Sequence, residues 1–166
     1  SCTVTVGSGT KIALWGTDTL APLGYSGNFT LGDFDVVLLN STAISSTSTV
    51  TVPSGRTIEV KPCDPNGGNP WGWAGTTPGN FVMPHVVLDG ADAQVVFRNS
   101  GAVPYLSTPI SGTGDVVWKS DAANLPSIVL AGPIDVTGCL RLPASTVITF
   151  VMPENNVSLM ATWEMF

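Results

Sequence analysis

Charge is what this 166-residue sequence has least of: Asp, Glu, Lys and Arg together make up 11% of it, against roughly a quarter in an average soluble domain. The six basic residues Lys11, Arg56, Lys61, Arg98, Lys119 and Arg141 stand singly, and the net charge is -6. No phosphate-tracking stripe assembles from them by sequence proximity, so nucleic acid is not an expected partner. Histidine is almost absent, and the three cysteines match no zinc spacing, so neither a structural metal nor any other cofactor is expected. No apolar run approaches the length of a membrane-spanning helix. Helical periodicity is missing too: Ala122-Ala123 is the only local hint, and Pro126 closes it. The start at Ser1, without methionine, is that expected of a processed chain.

What fills the space is Thr, Ser, Gly and Val, with an apolar share of 43%. That is enough for a core without disorder, and the balance fits secreted, surface and fibrous β-proteins better than a cytosolic enzyme. An oxidising location would allow one disulfide among Cys2, Cys63 and Cys139 and leave one thiol over, either buried or available to a neighbouring chain. Sequons at Asn28, Asn40 and Asn156 are glycosylation acceptors if the chain passes through a glycosylating route.

The organising unit is the stretch 49–60, two short alternating arms around the corner Pro53-Ser54-Gly55. Residues 3–14 and 139–150 echo it, with Gly7-Ser8-Gly9 and Pro143-Ala144-Ser145 at their corners. Ile12, Ile58 and Ile148 fall at near-multiples of about 45 positions, with a degenerate copy from Val95-Val96-Phe97, as its first arm, to Val103, and two coils of about 22 residues would fill one such period. The run Val37-Leu38-Leu39 reads as a strand buried on both faces. Alternation or turn chemistry marks further strands before Asp89-Gly90, over Gln94 to Arg98, after Gly112-Thr113-Gly114-Asp115, around Gly132-Pro133 and over 156–166. The chain therefore reads as a single all-β domain over 1–166. Its one long irregular stretch, 61–80, holds four prolines and five glycines.

Phrases such as Val52-Pro53-Ser54-Gly55-Arg56-Thr57-Ile58 and Ile110-Ser111-Gly112-Thr113-Gly114-Asp115-Val116 resemble the coils of right-handed β-helix, pectin-lyase-like proteins of secreted or surface type. The resemblance covers about half the chain and implies a solenoid of stacked short strands. The residues leave an antiparallel β-sandwich or jelly roll open, since strands there also recur every 8–12 residues or so with turn signals.

Several groups are candidates for a site. Trp71 and Trp73, with Asp64, Asn66 and Asn69 beside them, have the chemistry of glycan recognition, indole faces for sugar C–H surfaces and short polar groups for hydroxyls. A loop packed on itself would use the same residues. Asp89, Asp92 and Asp115 invite a two-carboxylate hydrolytic reading, although Asp beside Gly is the ordinary turn residue. His85 has no nucleophile motif near it. The pairs Thr3/Thr5 and Thr49/Thr51 place hydroxyls on one strand face, as on ice-binding solenoids. Finally, the apolar positions of the terminal strands, Val4 and Val6 at one end and Val157, Leu159, Trp163 and Met165 at the other, are candidates for pairing with another chain. The expectation is a non-enzymatic extracellular or virion-surface protein that assembles with copies of itself into a fibre, coat or array. The alternative is a carbohydrate- or surface-binding module acting through Trp71 and Trp73.

Overall fold

The structure, a computed structural model, describes residues 8–14, 27–38, 44–45, 47–60, 84–99, 105–106, 109–120, 128–130, 133–142, 148–150 and 162–165. Among them are fifteen strands. The first eight are β1 (Thr10–Leu14), β2 (Phe29–Thr30), β3 (Phe34–Leu38), β4 (Thr49–Pro53), β5 (Thr57–Val60), β6 (His85–Asp89), β7 (Gln94–Asn99) and β8 (Tyr105–Leu106). The rest are β9 (Ile110–Gly112), β10 (Asp115–Ser120), β11 (Ile128–Leu130), β12 (Ile134–Val136), β13 (Cys139–Leu142), β14 (Ile148–Phe150) and β15 (Thr162–Met165). The described residues contain no helix.

Every pairing among these strands is parallel. They form three sheets: a seven-stranded one in the order β1-β3-β5-β7-β10-β13-β15, a five-stranded one in the order β12-β9-β6-β4-β2, and a three-stranded one in the order β14-β11-β8. Uniformly parallel pairing is the opposite of what an antiparallel sandwich or jelly roll would show. The chain visits the sheets in turn and returns to the largest after about 21–24 residues, the repeat length of a stacked-strand array. The step from β5 to β7 is longer because it includes the stretch 61–80, which lies outside the described residues.

Side-chain alternation makes the stack possible. One inner row of the seven-stranded sheet runs Ile12, Val36, Ile58, Val95, Val116, Leu140, Trp163 in unbroken register. A second runs Leu14, Leu38, Val60, Phe97, Trp118. Facing them, the five-stranded sheet supplies Phe29, Val50, Val86, Ile110 and Ile134 in register. The residues of these rows from Val36 to Leu140 belong to one core cluster, in which Val50, Val52, Ile58, Val86, Val95, Val116, Trp118 and Leu140 have no exposed surface, with Leu14 and Phe29 packed against it. Phe97 and Trp118 stack at 4.5 Å between ring centroids. The Trp118 indole N–H has no hydrogen-bond partner among the described residues, a desolvation cost of about 1–3 kcal/mol set against that packing.

The corners are as regular as the strands. Hydrogen bonds between successive coils continue around them, from Leu31 to Thr51, Gln94 to Arg56, Thr113 to Leu88, Asp115 to Ala93 and Thr137 to Gly112, each from N–H to carbonyl. Between the five- and seven-stranded sheets the turns carry Gly55, Gly90, Gly112 and Gly138. Gly112 has φ of 121°, and a Cβ there would lie 2.1 Å from the Leu88 carbonyl oxygen. Backbone therefore stacks on backbone at this corner, and only glycine leaves room for it.

The repeat proposed from the sequence needs one correction. In 49–60 the corner joins the five-stranded to the seven-stranded sheet, β4 to β5, whereas in 139–150 it joins the seven-stranded to the three-stranded sheet, β13 to β14. Val95-Val96-Phe97 likewise stacks directly on β5 rather than occupying a first arm. The spacing of Ile148 from Ile58 is a coincidence produced by the inserted stretch. Ile12 and Ile58, by contrast, share an inner row two strands apart, with Val36 between them.

Candidate functional site

Strand alternation sends every second residue outward, and on the seven-stranded sheet these form a second set of rows. Lys11 and Asp35 are adjacent in one; Ala13, Val37, Glu59, Val96, Val117 and Arg141 make up the next; Arg98 and Lys119 are adjacent in a third. Four of the six basic residues, isolated in sequence, thus share one face. Glu59 is its hub. Its side chain is 9% exposed and accepts from Lys11 Nζ at 2.8 Å and from Arg98 Nε at 2.5 Å. Lys11 lies on β1, so its arm crosses the whole of β3 to reach Glu59. Val37, Val96 and Val117 face outward yet are buried, as expected where the stems of long cationic side chains lie over a sheet. Burial works to raise the Glu59 pKa, but the hydrogen bonds from Lys11 and Arg98 outweigh it and hold the carboxyl below its usual value of 4.5.

A second ion pair joins Arg141 Nε to Asp115 Oδ2 at 3.2 Å. The other oxygen of Asp115 accepts from the Cys139 N–H at 2.8 Å. Asp35 makes the same contact three strands earlier in the stack, accepting from the Thr57 N–H at 2.9 Å. Both carboxylates stand at the entrance of a strand of the seven-stranded sheet and hold the first N–H of the next. The hydrolytic reading of the aspartates finds no support in this arrangement: Asp115 is occupied structurally, while Asp89 and Asp92 are exposed at the β6–β7 corner. No group of three or more His, Cys, Asp or Glu among the described residues is placed to hold a metal ion.

The outer face of the five-stranded sheet is hydroxyl-rich. Thr30, Thr51, Val87, Ser111 and Asp135 follow one another in register, with Thr49 beside His85 in the neighbouring row. His85 Nε2 and Ser111 Oγ lie at hydrogen-bond distance, 2.9 Å. Asn28 is exposed and its Oδ1 accepts from the Thr49 N–H.

Among the described strands β1 and β15 form the two ends of the seven-stranded sheet; the arm with Val4 and Val6 precedes β1 and lies outside the described residues. Among the described strands β1 pairs only with β3, and β15 only with β13. At the β1 end the inner rows close on Ile12 and Leu14, which are half-buried, and Phe29 and Phe34 nearby are half-buried as well. In the middle of the stack the same rows are buried completely or nearly so. Trp163 and Met165 occupy the inner-row register positions at the other end, opposite Leu140 and Leu142.

Many of the groups singled out in the sequence lie outside the described residues: Trp71, Trp73, Asp64, Asn66 and Asn69; Val4, Val6, Val157 and Leu159; Cys2 and Cys63; Asn40 and Asn156; Thr3 and Thr5. Cys139 is half-buried in β13. Sequence reasoning missed the Glu59 hub and the His85–Ser111 pair. The signal for part of the hub was alternation combined with coil length, which together put Lys11 and Glu59 on one side of one sheet; the insertion before β7 hides Arg98 from such counting. No described helix is long and apolar enough to cross a membrane. No family model, no curated protein and no solved structure matches this chain.

Proposed function

We propose that this is a non-enzymatic structural protein of an extracellular or virion surface, built as a right-handed β-helix and associating with copies of itself through the ends of its strand stack. The observation that carries this reading is the seven-stranded parallel sheet that, among the described strands, ends on β1 and β15, its apolar inner rows running out at half-buried Ile12 and Leu14. An edge strand offers unpaired N–H and C=O groups, and apolar side chains beneath it favour covering that edge with another chain. Few charges stand in the way, and those of the seven-stranded sheet are largely spent on one another. Negative-stain electron microscopy paired with light scattering tests the proposal. Filaments, shells or regular oligomers are the expected result, and a chain that stays monomeric at high concentration overturns it.

A further inference from the structure

Resting on that self-association reading, we infer that the contact is a head-to-tail splice in which β15 of one copy pairs, parallel and in register, with β1 of the next. Parallel stacking gives the two ends different faces, so the contact that continues the sheet is between unlike ends. Both strands run in the same direction within the sheet, and each coil already offers the next an identical parallel edge. Continuing the observed register sets Trp163 beside Ile12 and Met165 beside Leu14 of the following copy. The two apolar inner rows would then pass from one molecule into the next, and Ile12 and Leu14 would acquire the second neighbour that Val36, Ile58 and Val95 already have.

The alignment also brings opposite charges near each other. Glu164 stands in register with Arg141 at the last described strand. One strand further, its row would meet Ala13 of the next copy, with Lys11 on the two-residue diagonal. The two-residue offset is that of Asp115 with Arg141 and of Glu59 with Arg98, but on the opposite diagonal: there the partner on the following strand lies two residues later, here two residues earlier. Lys11 keeps 51% of its side chain exposed while bonded to Glu59, and an ammonium has three donors. Pairing β1 with β1 across a twofold axis would instead stop at a dimer.

Two variants that block one end each decide between these geometries. Ile12→Lys closes the β1 end and Trp163→Lys closes the β15 end. The splice predicts that each variant alone sediments at the 17.2 kDa chain mass, and that an equimolar mixture gives a 1:1 dimer that grows no further. Dimers formed by Trp163→Lys alone, or filaments formed by Ile12→Lys alone, overturn the splice and leave self-association standing. A wild-type chain that never associates overturns both. Circular dichroism confirms that each variant is folded, and Leu14→Glu with Met165→Glu repeats the test on the second inner row should either first variant fail to fold.

Discussion

Single atoms decide several features of this molecule. A methyl group at Gly112 meets two penalties, a φ of 121° and a backbone oxygen at 2.1 Å, whereas one at Gly9 meets only a φ of 75° in open space. Gly9→Ala is therefore expected to cost about 1 kcal/mol, and Gly112→Ala at least about 3 kcal/mol or the fold itself, measured as urea midpoints on matched variants. Glu59 acts at the same scale. Its pKa is lower in the folded chain than in the unfolded one, so its contribution to stability is fully present above the unfolded value and is lost as pH falls through the folded value. Wild-type stability is expected to decline below about pH 4.5 and further down, and Glu59→Gln to remove that part of the decline. At neutral pH the same change should cost about 1 kcal/mol, because the cations it deserts are partly solvated already. Thermal melts from pH 3 to 7 check both statements.

Between neighbouring strands the recurring device is an aspartate at a strand entrance. Asp35 and Asp115 each accept the first N–H of the next strand in the seven-stranded sheet, so the carboxylate acts where a corner has not yet become a ladder. Asp115→Asn keeps an acceptor for the Cys139 N–H and loses only the Arg141 pair, for an expected cost of about 0.5–1 kcal/mol. Asp115→Ala leaves the N–H of Cys139 without that acceptor in a partly buried place, and about 2 kcal/mol is expected. Reversal of this order in chemical denaturation would assign the dominant role to the Arg141 ion pair instead. The alternation that builds these strands was legible in the chain: Val50 and Val52, Ile58 and Val60, Val86 and Leu88 all face the core. The phase of the last repeat was not, because a corner leading to the three-stranded sheet has the same local chemistry as one leading to the seven-stranded sheet.

For the molecule as a whole, stability should follow position in the stack. Strands β5, β7 and β10 have a neighbour on each side and buried residues in both inner rows, while β1 has one neighbour and half-buried ones. Amide hydrogen exchange on the unassembled chain is expected to be slowest in β5, β7 and β10 and fastest in β1. Assembly by the splice should slow exchange in β1 specifically. Equal protection from end to end in the unassembled chain would mean that β1 is stabilised by something other than its single strand neighbour.

By itself the sequence determined that this protein is all-β, that its strands are short and alternate, that its corners need Gly, Pro and Asp, and that a coil takes about 22 residues. These are properties of local chemistry: alternation follows from the pleat, and corners from the dihedral freedom of a few residue types. Only the tertiary structure decided that the strands pair in parallel, which corner belongs to which sheet, and that Lys11, Glu59 and Arg98 meet across β1, β5 and β7. Pairing direction and long-range side-chain contacts depend on how coils stack. An insertion such as 61–80 shifts the spacing along the chain without shifting the register of the strands on either side, so counting residues cannot recover it.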